Sequence, residues 1–310
     1  MPISESRTWR SRRVPVMKSR ALVLGGGGAT GNAWLIGIVA GLFDAGLDVT
    51  QADLIIGTSA GSTAAAQISG ASPGKLLASI LSEGPKARTS MVRSSAGTHS
   101  TRPVSNLMER TGAVIGAATD ATDMRGGMGA LLLDLTGIED AKHSQWRETV
   151  AARLPCQRWP DRPLLITAVD AHTGEPIVFD HQSGVKLVDA VAASTAGGFA
   201  YRIGDKFYID GGYRSDVNAD LAAGYRRVLV IPPVGPKTRK PLEWGLHLAA
   251  EAKELRAHGS RVEVIVPDSA SDSAMGIGMN LMDLSSRRPS CEAGYKQGKA
   301  LAERLGEFWS

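Results

Sequence analysis

The stretch Asp53-Leu54-Ile55-Ile56-Gly57-Thr58-Ser59-Ala60-Gly61-Ser62-Thr63-Ala64-Ala65-Ala66 changes character at its centre. Leu54 to Ile56 form a short apolar run with no polar face, as expected of a strand buried on both sides. The run breaks at Gly57. Ser59 to Ser69 is then rich in alanine and reads as a helix that stops near Gly70. A strand, a glycine-bounded turn and a helix define one half of a βαβ unit.

The preceding segment has the same form. Ala21 to Leu24 is an apolar run, Gly25 to Gly31 is a glycine-rich loop, and Asn32 to Ala45 has helical apolar spacing ending before Gly46. Strand, helix, strand, helix in this rhythm predicts a parallel sheet with helices packed on it. Further strands are expected at Leu164 to Val169, Pro176 to Asp180, Lys206 to Ile209, Arg227 to Ile231 and Val262 to Val266. Helices are expected at 74–82, 103–117, 139–153, 185–194, 217–224, 241–257 and 291–308.

The chain has 310 residues, 43% apolar and 21% charged, which excludes a disordered chain and suffices for a large core. The net charge of +4 is unevenly placed. Residues 1–20 hold six basic residues against Glu5 alone, so the rest of the chain has 29 bases and 30 acids. No nucleic-acid partner is implied for that body. Residues 1–19 read as a disordered basic tail, without the apolar core of a secretory signal, preceding a domain over 20–310. Residues 84–102 carry Lys86, Arg88, Arg93 and Arg102 among Ser, Thr and Gly, and read as a flexible insertion or a basic flap. The longest apolar run, Ala33 to Phe43, is well short of the ~18 residues of a membrane span. With two cysteines, Cys156 and Cys291, and no Cys/His cluster, neither a metal nor a disulfide framework is expected. The expected location is cytoplasmic, with transient membrane-surface contact left open.

Three motifs can carry chemistry. Gly57-Thr58-Ser59-Ala60-Gly61 is a GxSxG between a strand and a helix. There a serine can sit on a sharp turn with its hydroxyl above the sheet. An ordinary turn with a helix-capping serine is the alternative. Gly25-Gly26-Gly27-Gly28-Ala29-Thr30-Gly31 offers bare N–H groups at a helix start, an anion site. Gly26, Gly28 and Gly31 also satisfy GxGxxG. A dinucleotide fold, however, wants an acid at the end of the second strand, and that strand runs into Gly57. Tyr208-Ile209-Asp210-Gly211-Gly212 places an aspartate after a strand. None of the six histidines lies in a comparable turn, and Asp170-Ala171-His172-Thr173-Gly174 reads as a hairpin turn.

The order GGGxxG, GxSxG, DGG resembles the patatin-like phospholipases, in particular their bacterial members. Val191 to Phe199 is similar to the segment before the family's aspartate. The resemblance covers about residues 20 to 231. It implies a three-layer α/β/α fold with a mainly parallel central sheet, lipid ester substrates, no cofactor and no metal. It implies Ser59 as nucleophile and Asp210 as base, with no catalytic histidine. Gly26, Gly27, Gly28 and Gly31 would belong to the oxyanion loop, and the N–H of Ala60 would be a further donor. Gly57, Gly61, Gly211 and Gly212 would support the turns. Thr30 departs from the basic residue common at its position, and Ala196-Gly197-Gly198 lacks a proline often found there. A non-catalytic lipid- or nucleotide-binding protein on the same fold, and a Ser–Asp–His hydrolase, are the alternatives.

Overall fold

The structure, a computed structural model, describes residues 18–84, 104–137, 140–276 and 280–310. Apart from residues 18, 19 and 84, the basic tail and the 84–102 insertion lie outside these residues. Residues 18 and 19 belong to the first strand, which starts three positions earlier than the apolar run Ala21 to Leu24: β1 spans Lys18–Leu24, and the Ser19 N–H donates to Asp53 Oδ2 at 3.1 Å.

Five strands form a parallel sheet in the order β3 (Leu164–Asp170), β2 (Leu54–Gly57), β1, β7 (Tyr225–Ile231), β8 (Arg261–Val264). Beyond β3 the sheet turns antiparallel. β4 (Pro176–Phe179) and β6 (Lys206–Asp210) both pair with β3, and β5 (Tyr201–Ile203) pairs with β6. The sheet is therefore mixed.

Alternation along the strands sorts the core into layers. Leu22, Leu24, Ile55, Leu229 and Ile231 face α1 (Gly28–Asp44), α2 (Ala60–Gly70), α3 (Pro73–Leu81), α7 (Leu187–Ser194) and α10 (Arg287–Trp309). Ala21, Val23, Ile56, Val228 and Val230 face the other way, against α8 (Leu248–Ala257) and a 3-10 turn at Ala219–Ala222. On that same side, α5 (Ala121–Thr136) covers the antiparallel end through Met124, Met128 and Leu132. Helix, sheet and helix give the three layers of an α/β fold. The remaining helices are α4 (Val104–Ala117), α6 (Asp140–Ala151) and α9 (Ser269–Met275).

α1 and α10 approach unusually closely. A Cβ on Gly37 or Gly41 would lie 2.2 Å from the carbonyl oxygen of Cys291 or Tyr295. One on Gly294 or Gly298 would lie 2.5 or 2.4 Å from that of Trp34 or Ile38. Each helix thus presents a glycine pair four residues apart to the other's backbone. The buried Trp34 closes the contact by donating from Nε1 to Gln297 Oε1 at 3.3 Å.

Several expectations require correction. α5, β5 and α9 were not anticipated from the sequence. The helix expected at 217–224 is a 3-10 turn, because Asn218 is left-handed with φ 62°. The helix expected over 241–257 begins only at Leu248, after a separate 3-10 turn at Leu242–Trp244. Asp170 is a turn residue as read: its Oδ1 accepts from the N–H groups of His172 and Thr173 at 3.0 and 3.1 Å.

Candidate active site

β2 and β6 meet end to end along one edge of β3. Pro163 O accepts from Ile55 N–H, and Ala171 N–H donates to Phe207 O. Residues 163 and 171 have the same strand parity, so both bonds leave the same edge of β3, while Asp170 N–H bonds Glu175 O on the other. β2 stops at Gly57 opposite Ile166, and β6 stops at Asp210 opposite Ala168. The turn bearing Ser59 and the turn bearing Asp210 therefore face each other across Thr167.

Ser59 has φ 52° and ψ −119° and is, with Asn218, one of two non-glycine residues with positive φ among those described. Such a backbone costs of order 1–3 kcal/mol and persists only where its surroundings enforce it. Here the enforcement is steric. A Cβ on Gly57 would lie 2.5 Å from Ser62 Cα, and one on Gly61 would lie 2.0 Å from Leu24 O. The Ser59 N–H donates to Ser194 Oγ at 3.0 Å, and the Ser62 hydroxyl donates to Ser59 O at 2.6 Å.

Asp210 is buried. Desolvation pushes its carboxyl up to about 6. Hydrogen bonds from the Ser59 hydroxyl and the Gly212 N–H and the positive charge of Lys240 limit the rise. The Gly212 N–H donates to Oδ1 at 2.7 Å. A Cβ on Gly211 would lie 2.2 Å from Thr167 Oγ1, so the chain can turn there only without a side chain. Lys240, itself buried, holds the turn by donating to Gly212 O at 2.7 Å and Asp216 Oδ1 at 2.6 Å.

The glycine loop divides its labour. Gly26 faces the serine: a Cβ there would lie 3.4 Å from Ser59 Cβ. Gly28, with φ 63°, lines the same small cavity as Ser59, Ala60 and Arg287. Gly27 and Gly31 pack against Pro233, where a Cβ would come within 2.5 and 2.9 Å. The Gly31 N–H is spent on Gly27 O at 2.9 Å. Gly28 and Ala60 are the first residues of α1 and α2, where helical N–H groups have no partner within the helix.

No histidine enters among the described residues. His143 is packed among Phe199, Tyr201 and Phe207, and His172 lies against Phe207. His247 and His258 flank α8, and His181 lies in an exposed turn. His99 is outside the described residues. No group of three His, Cys, Asp or Glu among the described residues could hold a metal ion.

The sequence of the patatin-like phospholipase family matches residues 22–223, about two thirds of the chain and all three motifs. The chain belongs to this family. Two solved structures resemble the patatin-like domain weakly. The type III effector ExoU is 14% identical, with a TM-score of 0.37 over 93% of this chain and 53% of its own. VipD from Legionella pneumophila is 13% identical, with a TM-score of 0.41 over 94% of this chain and 67% of its own. The chain thus spans about half the length of the first and two thirds of the second. No curated protein matches. No helix among the described residues is long and apolar enough to cross a membrane.

Sequence reasoning missed Ser194, Asn218 and Lys240 as partners of the two turns. Ser194 lies in the quoted segment Val191 to Phe199, which was the available signal. Nothing local marked Asn218 or Lys240.

Proposed function

We propose that this patatin-like domain is a serine acyl hydrolase of lipid esters, of the phospholipase A or lysophospholipase type. The observation that carries the reading is a strained Ser59 whose turn faces that of Asp210, a buried carboxyl that desolvation raises to about 6 and the Ser59 hydroxyl draws back down. An ordinary aspartate, with a pKa near ~3.9, is too weak a base for this work.

Ser59 Oγ attacks the ester carbonyl while its proton passes to Asp210. The tetrahedral oxyanion is received by N–H groups of Gly26, Gly27, Gly28 and Ala60, and Gly31 serves by close packing. Losing one such donor costs ~3 kcal/mol. Collapse expels the alcohol, which recovers the proton from Asp210. Water, deprotonated by Asp210, then attacks the acyl-enzyme; collapse releases the fatty acid, and Asp210 returns the proton to Ser59 Oγ.

The test is a panel of phospholipid, lysophospholipid and neutral acylglycerol substrates with wild type beside Ser59→Ala. A fluorophosphonate probe is applied to both. Hydrolysis lost in Ser59→Ala, with the adduct mapped to Ser59, supports the reading. A folded wild type without turnover or labelling would instead leave a binding protein on a hydrolase fold.

A further inference from the structure

Two arginines border the cavity that holds Ser59. It is small, about 60 Å³, and Arg153 and Arg287 line it together with Gly28, Ala60 and Trp146. The same two arginines line a neighbouring cavity of about 530 Å³, with Lys75 on its wall beside Ile36, Leu76 and Ile80. That volume lies within the range of roughly 300–1,000 Å³ usual for small-molecule sites. Arg153 and Arg287 are the two residues the spaces share.

The two arginines are not equivalent. Arg287 is engaged: it pairs with Glu83 at 3.3 Å and donates to Ala29 O and Asn32 Oδ1 at 3.1 and 3.2 Å. The guanidinium of Arg153 makes no hydrogen bond or ion pair among the described residues. It lies over the Trp146 ring, 5.5 Å from the centroid. Trp146 is itself fixed by donating from Nε1 to Ala192 O at 3.1 Å.

A buried polar frame joins the two. Arg153 O accepts from Gln67 Nε2 at 3.0 Å, Gln67 Oε1 accepts from Asn32 Nδ2 at 3.0 Å, and Asn32 Oδ1 accepts from Arg287. Asn32 and Gln67 are both buried. Burying two amides is tolerable only with such complete bonding. The frame anchors the backbone of Arg153, an exposed residue whose guanidinium rests on Trp146, beside the partly neutralised Arg287. Desolvation, and then Arg287, lower the pKa of Arg153, and the carboxylate of Glu83, which also lines the larger cavity, opposes them.

We propose that Arg153, backed by Arg287, binds a phosphoryl group beside Ser59, and that acyl esters carrying such a group are thereby preferred. A planar guanidinium can meet two phosphate oxygens at once. The preference, though not the anion site, rests on the hydrolase reading above. The phosphoryl group could belong to the substrate's head group or be free phosphate, and the test separates them.

The test compares wild type with Arg153→Met, which keeps the stem over Trp146 without the charge, and Arg153→Lys, at matched melting temperature. Two substrates share their acyl chains: a short-chain phosphatidylglycerol below its micellar concentration and the corresponding diacylglycerol. In parallel, calorimetry measures binding of inorganic phosphate, which needs no turnover. In Arg153→Met the ratio of kcat/KM for the phosphate-bearing over the neutral ester should fall at least tenfold, chiefly through KM, with partial recovery in Arg153→Lys. Phosphate binding should weaken at least fivefold. Weakened phosphate binding with an unchanged ratio assigns the site to free phosphate. Both quantities within twofold of wild type overturn the proposal. A wild type that hydrolyses neither ester yet loses phosphate binding in Arg153→Met refutes the hydrolase reading and leaves the anion site standing.

Discussion

The side-chain amide of Asn218 donates to the hydroxyl of Thr58 at 2.9 Å and also reaches Gly211 O at 3.2 Å. One buried amide thus ties the residue before Ser59 to the residue after Asp210. Asn218→Ala leaves those acceptors unpaired, at about 1–3 kcal/mol, and places alanine at a left-handed position. Asn218→Gly relaxes the backbone but not the bonding. Both variants should therefore lose kcat, with glycine regaining stability and not rate. Denaturation midpoints beside kcat decide this, and a full-rate Asn218→Gly would show that the tie is dispensable.

Asp210 must be ionised to accept a proton, and burial holds it near 6. kcat/KM should therefore rise with pH through an acid limb near pH 6. Lys240 lowers that pKa. Lys240→Met should move the limb to higher pH, and Lys240→Arg should move it less. A pH–rate series that leaves the limb in place, or moves it down, would refute the assignment.

Asp210→Asn keeps the volume and removes the base. Turnover should drop by at least ~10²–10⁴-fold, while Asp170→Asn, altering only a hairpin turn, should do far less. Activities are compared at equal circular dichroism, alongside alanine variants of the six histidines. A folded but inactive histidine variant would bring back a triad.

Two glycines of the site should respond in opposite ways. Alanine at Gly61 would press a Cβ to 2.0 Å from Leu24 O, part of a strand that cannot yield. At Gly26 the nearest atom is Ser59 Cβ at 3.4 Å, an ordinary contact. Gly61→Ala should give little folded protein. Gly26→Ala should fold with a near-normal melting temperature but lose activity, because the added methyl intrudes on the serine. Thermal melts and ester assays of the pair check both halves.

Glu251 is buried against the Ser215 hydroxyl and the Ala219 N–H, and desolvation raises its carboxyl to about 7. Its neutral form is favoured in the fold. Its contribution is whole below about pH 4.5 and is lost as pH rises through about 7, amounting to up to about 3 kcal/mol. Glu251→Gln should flatten the stability profile over that window. Urea midpoints at pH 5 and pH 8 for both proteins give the comparison, and parallel profiles would rule out Glu251 as the source.

The two motif turns were more legible than the scaffold around them. Ser59 and Asp210 sit in motifs whose glycines are dictated by local sterics, so their spacing survives in the sequence. α5 did not, because Gly126, Gly127 and Gly129 argue against a helix. Its helicity comes from packing, with Gly129 fitted so closely on Ala171 O that a Cβ would sit at 2.1 Å. β5 is three residues long, and α9 only seven, with Ala270, Ala274 and Met275 its sole apolar residues, so neither has a periodicity to read. Asn218 and Lys240 act across chain separations that no local pattern records.

The glycine-to-glycine seam between α1 and α10 has a consequence for assembly. Trp34 and Gln297 bond across 263 positions, so the helix that opens from the glycine loop acquires its partner only from the far end of the chain. Contacts of such long range are expensive in loop closure and slow to form. During synthesis the loop beside Ser59 would emerge early and wait, its supporting helix still in the ribosome. Competence should therefore arrive late and all at once, and a ribosome-bound chain stalled before residue 287 should contain both motif residues yet show no labelling at Ser59.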